Sequence, residues 1–172
     1  MKTITEIFTV NKTSNRLAIG TIAVVLFTSI HNIYGGYQYD TSWRIIMPIF
    51  FFLPMLLFTL FLQYRVVKNQ NVITLIFFSA LVFIGWIGAL AFGEGGYNHL
   101  LKNILYFGNA SEELLTKMFP PEFGSTKLYE KPNDWFFEST GIFTMVFGFY
   151  ISHYMIKFIK NIMNVKKGVL NS

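Results

Sequence analysis

Seven side chains carry charge or proton-transfer chemistry where their neighbours are apolar or aromatic: His31, Asp40, Arg44, Glu94, His99, Lys102 and Glu138. Imidazole nitrogens and carboxylate oxygens together suit zinc, manganese or ferrous iron, so His31, Glu94, His99 and Glu138 form a candidate metal set. The same groups suit proton transfer, with His31 and Glu94 the candidate catalytic acid or base. Asp40, Arg44 and Lys102 complete a candidate ligand-binding set. Spacing adds little, because Glu94 and His99 are five residues apart, neither an i, i+3 nor an i, i+4 pair of an α-helix. No Walker, Rossmann, HExxH or GxSxG pattern occurs.

The elements that must position these groups are plain. Four charge-free hydrophobic runs cover residues 17–34, 45–64, 72–92 and 139–156. Each is close to the ~20 residues that cross ~30 Å of hydrocarbon as a helix. The chain is 53% hydrophobic and 13% charged with 20 Phe, more apolar surface than a private core of this size needs. The expected fold is an all-α integral membrane four-helix bundle, a single domain over 1–172 with spans 17–36, 45–64, 72–92 and 139–159. The first run is longer than a signal-peptide core and lacks a small-residue cleavage site, so it reads as a retained helix. The absence of cysteine excludes disulfides, thiolate zinc sites, iron–sulfur clusters and c-type haem attachment.

Charge sets the orientation. Nine of the fourteen basic residues (Lys2, Lys12, Arg16, Arg65, Lys68, Lys157, Lys160, Lys166 and Lys167) fall on the side of the two termini, opposed by Glu6 alone. Seven of the nine acids lie in residues 93–138, between the third and fourth runs. The positive-inside rule then predicts a multi-pass protein with both termini cytoplasmic and 93–138 as an extracytoplasmic segment. The pI of 9.4 describes a basic rim facing anionic lipid headgroups. The lipid bilayer is the expected partner, with a membrane protein partner or a homo-oligomer as further candidates; nucleic acid is not.

Within the runs, His31 lies ~22 Å up the first helix from Arg16, in the outer leaflet. His153 falls at the opposite end of the fourth helix, which argues against one haem held between the two. Pro48 and Pro54 should bend the second helix. Ser79, Gly85, Gly88 and Ala89 offer the third a small-residue contact face. Trp43, Trp135, Tyr34, Tyr37, Tyr39 and Tyr97 read as interfacial anchors.

The outer segment opens with Gly93, Glu94, Gly95 and Gly96, whose three glycines allow positive φ and close backbone approach. Tyr97, Leu100, Leu101, Ile104 and Leu105 then form the stripe of a short amphipathic helix, whose other face carries Asn98, His99, Lys102 and Asn103. A second short helix follows Ser111 as N-cap, with Glu112 and Glu113 stabilised by its dipole. Residues 120–134 read as loop, placing Glu122, Glu130 and Asp134 in solvent. Glu94 and Glu138 remain as carboxylates at the first apolar turns, where charge is costly unless paired, hydrated or bound to a cation.

Three readings of that mouth follow: a binding or accessory site for a cation or amphipathic small molecule, an acid–base enzyme acting on a lipid or quinone-like substrate, or a structural subunit of a larger membrane complex. Against a site of any kind stands a salt-bridged collar, in which Arg44 and Lys102 pair the carboxylates and lock the long segment onto the bundle.

Overall fold

The computed structural model describes residues 4–120, 132 and 134–170, with side chains described from residue 9 to residue 166 of these. Four long helices are apolar enough to cross a membrane. They are α1 (Ile4–Gln38), α2 (Ser42–Asn69), α3 (Val72–Phe107) and α5 (Trp135–Leu170), with the short α4 (Glu112–Met118) between the last two. No strand occurs among the described residues.

Local chemistry explains the breaks. Asp40 adopts a left-handed conformation in the α1–α2 turn, and Gln70 does the same at the end of α2. Asn71 then caps α3 by accepting the Thr74 amide at 3.1 Å. Ser111 caps α4 through the Leu114 amide, as its position before Glu112 and Glu113 predicts. Pro48 and Pro54 do not interrupt α2. Instead Leu53 N–H reaches back five residues to the Pro48 carbonyl, a local widening that absorbs the missing donors.

The core runs between α1, α3 and α5. Thr21 and Gly20 of α1, Ala91 and Gly95 of α3, and Gly141 and Gly148 of α5 permit close backbone approach. Trp86, Phe78, Phe158, Met155 and Ile151 fill the interior away from the α1–α2 turn. Outward, Phe50, Phe58, Phe61, Phe77 and Phe149 are all more than half exposed, a surface suited to lipid.

The sequence reading needs correction at three places. Residues 97–105 are not a separate amphipathic helix: α3 runs on through 93–96 to Phe107. Packing overrides propensity here. A Cβ on Gly95 would lie 2.5 Å from the Gly141 carbonyl, so this glycine serves a helix crossing. That crossing uses Ala91 and Gly95, whereas Gly88 and Ala89 are exposed and Gly85 meets Met55 of α2. Asp134 is not a solvated loop residue, because its Oδ1 accepts the Phe136 and Phe137 amides and its Oδ2 accepts the Tyr34 hydroxyl at 2.8 Å. It therefore caps α5 and ties it to α1. Glu122, Glu130 and most of the expected loop lie outside the described residues.

Candidate metal centre

α3 positions two of the key side chains through an unusual winding. From Leu81 to Leu101 each turn closes on the carbonyl five residues back rather than four. Residues five apart then come over one another, and such wide turns recur at functional sites. Glu94 and His99, unrelated on an ordinary α-helix, share the face that meets α1 and α5. α1 brings His31 to the same point, and the first two turns of α5 bring Phe137, Glu138 and Thr140.

Three ligand-type atoms converge. His31 Nε2 lies 3.3 Å from Glu94 Oε1, His99 Nε2 lies 3.6 Å from the same oxygen, and the two imidazole nitrogens are 3.1 Å apart. Both histidines are almost fully buried, at 1% and 2% exposure, while Glu94 retains 25%.

The remaining hydrogen bonds fix what these atoms are. His31 Nδ1 sits 3.1 Å from the Phe137 carbonyl and 3.1 Å from Thr140 Oγ1. Thr140 Oγ1 itself donates to backbone carbonyls of Phe136 and Phe137. His31 Nδ1 must therefore carry its hydrogen. His99 Nδ1 lies 2.8 Å from Glu138 Oε2, an acceptor, so it too is the donor. With both Nδ1 protonated, each neutral ring turns an Nε2 lone pair toward the other and toward a carboxylate oxygen. Three acceptors at 3.1–3.6 Å repel one another unless a proton on one Nε2 or a cation stands among them.

The supporting contacts continue outward. Glu94 Oε2 accepts from Asn98 Nδ2 at 2.6 Å. Glu138 Oε2 also accepts from Asn103 Nδ2 at 2.6 Å, and its Oε1 from Lys102 Nζ at 3.0 Å. Phe137 stacks on His31 with ring centroids 4.1 Å apart and presents its edge to His99. A Cβ on Gly141 would collide with the His99 ring, so the glycine keeps that ring in place. A carboxylate holding the far nitrogen of a ligating histidine is the usual support of a metal-bound imidazole.

His31, Glu94 and His99 fit a metal by chemistry and by distance. A point equidistant from their three atoms lies about 1.9 Å from each, within the usual tolerance of zinc–nitrogen and zinc–oxygen bonds. Tetrahedral zinc holds neighbouring ligand atoms roughly 3.4 Å apart, and the three separations here bracket that figure. Two histidines and one carboxylate leave a coordination position open. A cavity of about 240 Å³ adjoins the cluster, with Glu94, His99, Arg44, Lys102, Phe119 and Phe137 in its wall.

Of the seven residues singled out from sequence, three therefore converge directly. Glu138 stands behind His99 rather than among the ligand atoms, and Lys102 pairs with it as the collar reading expected. Arg44 is buried in the cavity wall, its guanidinium over the rings of Trp43 and Phe137 at 5.5 and 5.4 Å. Asp40 is exposed in its turn, away from the cluster. His153 is also exposed, about 20 Å along α5 from Thr140, so the two helix ends do not share a site.

Sequence reasoning missed the supporting roles of Asn98, Asn103, Phe137 and Thr140. The asparagines were signalled by their spacing, each four residues beyond Glu94 or His99. No family model matches the chain, and neither curated proteins nor solved structures yield a similar protein.

Proposed function

We propose that this is a multi-pass membrane protein that binds a divalent transition metal ion, with zinc the best fit, through His31, Glu94 and His99. The observation that carries the reading is the convergence of three acceptor atoms whose other sides are already committed to hydrogen bonds. Three protein ligands and an open position are the pattern of a zinc site that meets a further ligand or substrate rather than one that only staples a fold.

Orientation follows from the basic end. Lys12 and Arg16 of α1, Arg65 and Lys68 of α2, and Lys157, Lys160 and Lys166 of α5 gather at the end remote from the cluster. Thr13–Asn161 and Ser14–Gln63 contacts bring those segments together. The positive-inside rule puts that end, and both termini, in the cytoplasm, with the metal centre at the extracytoplasmic mouth. A reporter fused after Ser172 and active only outside the cytoplasm would overturn this orientation.

A second reading uses the same atoms. A proton in place of the ion, held on one imidazole and shared with Glu94, would make an acid–base pair for an embedded enzyme. The 3.1 Å separation of the two Nε2 atoms favours it equally.

Metal analysis separates the two. Full-length protein purified in neutral detergent and equilibrated with zinc should retain one ion per chain through gel filtration. His31→Ala and Glu94→Gln should lose it. Wild-type protein that stays metal-free, with unfolding unchanged by chelator, would sink the metal reading and leave the proton.

A further inference from the structure

The outward face of the bundle is not uniform. Between α2 and α3, in the half nearer the basic end, a groove of about 600 Å³ opens outward. α2 contributes Phe58 and Leu62 to its wall, and α3 contributes Ile73, Phe77, Ala80 and Ile84. Phe58, Ile73, Phe77 and Ile84 are each more than half exposed, and the small Ala80 leaves the space between them. Thr74 is the one polar side chain in that wall, so it offers little to select a polar ligand. Ile73 to Ile84 spans ~16 Å of helical rise, about half of the ~30 Å hydrocarbon layer. That is the depth of one leaflet.

Charge at the groove's end narrows the occupant. Phe58, Leu62 and Arg65 recur at i, i+4 and i+7, so Arg65 continues the groove face of α2 one turn toward the basic end. Its guanidinium lies 5.9 Å over the Phe61 ring, and the Lys68 ammonium lies 5.6 Å over Tyr64. Both cations are exposed. Long basic side chains at a helix end keep their heads at the headgroup level while their stems follow the apolar surface. Over the whole sequence, nine bases fall on this side against the single acidic side chain of Glu6, so the positive sign does not depend on the described residues alone. A second copy docked here about a two-fold axis would set these cations against their counterparts, and like charges so placed are costly.

We infer that the groove seats an acyl chain of an anionic phospholipid, with the phosphate held at Arg65 and Lys68. The site is separate from the metal centre and stands or falls without it.

Mass spectrometry of the intact full-length protein, released from neutral detergent, tests this. The protein is titrated with phosphatidylglycerol and with phosphatidylcholine of the same chain length. The first phosphatidylglycerol should bind about tenfold or more tighter than phosphatidylcholine, since each basic side chain near an anionic headgroup is worth about fivefold. Arg65→Gln with Lys68→Gln should abolish that preference. Lys157→Gln with Lys160→Gln removes equal charge from exposed positions on α5, outside the groove, and should leave the preference in place. Ala80→Trp fills the groove from an exposed position and should weaken both lipids about tenfold; if that variant does not fold, Ile84→Ser should weaken both by making the wall polar.

Equal binding of the two lipids by the wild type would overturn the inference. So would an equal loss in the α5 pair, which would assign the preference to the general field of the basic end. Undiminished binding in Ala80→Trp would remove the chain from the groove. A lipid-free dimer that Ala80→Trp splits would give the groove to a second copy instead.

Discussion

The two ends of the helix bundle bury polar groups in opposite ways. At the basic end, Gln63 Nε2 donates to the Ser14 carbonyl at 2.6 Å and to its hydroxyl at 2.7 Å, and Asn161 donates to Thr13 at 2.9 Å. In mid-bundle the Trp86 indole donates to Thr59 at 2.8 Å. Each of these contacts sets a donor against an acceptor, and Gln63 Oε1 is left over as a single buried acceptor. At the other end, His31, Glu94 and His99 turn acceptors toward one another, while the two imidazole Nδ1–H groups are spent on the Phe137 carbonyl and the Glu138 carboxylate. Buried polar groups are nearly always satisfied, so acceptors turned toward one another call for a proton or a cation among them. The bundle is closed at one end and poised at the other.

The sharpest way to break this contrast is to unbalance the poised end further. Glu138→Ala removes the partner of both His99 and the buried Lys102, leaving an uncompensated ammonium at 5% exposure. Breaking such a pair costs about 3–5 kcal/mol, and loss of the carboxylate behind a ligating histidine weakens metal binding about 10–100-fold. Denaturant unfolding and zinc competition should show both. Glu138→Ala protein of wild-type stability would mean Lys102 reaches water and the collar is ornamental.

Metal removal comes next in size. With zinc at a hundredfold of its dissociation constant, linkage adds about 2.7 kcal/mol to the folded state, and chelator should withdraw it. His31→Ala protein should be indifferent to chelator. An equal chelator response in wild type and His31→Ala would show that the ion stabilises some other part of the molecule.

Part of this was legible in sequence. Four long apolar runs must become helices because nothing else satisfies their backbone in hydrocarbon. Glu94 and Glu138 stood out because a carboxylate beside such runs requires a reason. The convergence was hidden. Glu94 and His99 are five residues apart, and only the wide winding of α3 brings them over one another. Along that winding α3 packs against α5 through Gly95 on Gly141, a pairing that no local spacing announces. The glycines of 93–96 announced close backbone approach, which Gly95 makes against Gly141, but not the continuous helix that carries it. Glu138 was placed correctly at the top of its helix, but whether it touched an ion or a histidine depended on ångström distances that no spacing reveals.

Gly141→Ala sharpens the comparison with a methyl group. The added carbon meets the His99 ring, and overpacking of this kind costs about 1–3 kcal/mol. Because the ring must move, zinc affinity should fall along with stability. Gly88→Ala, on the exposed side of α3 with the added carbon meeting only the Phe83 carbonyl of its own helix at 3.0 Å, should leave zinc affinity unchanged. If both alanines weaken zinc equally, the effect belongs to the winding of α3 rather than to the place of His99.

The smallest expected effect tests the closed end. Gln63 is 4% exposed, and its amide nitrogen makes both hydrogen bonds to Ser14. Its Oε1 has no hydrogen-bond partner among the described residues. Gln63→Met therefore gives up two neutral contacts but also relieves one buried acceptor, with side-chain volume nearly kept. The net cost should be about 1 kcal/mol or less. Zinc affinity should not change, since no charge or ligand-bearing element is altered near the metal centre. A shift in zinc affinity in Gln63→Met would show the two ends to be mechanically coupled through α1 and α2, and the division between a closed and a poised end would fail.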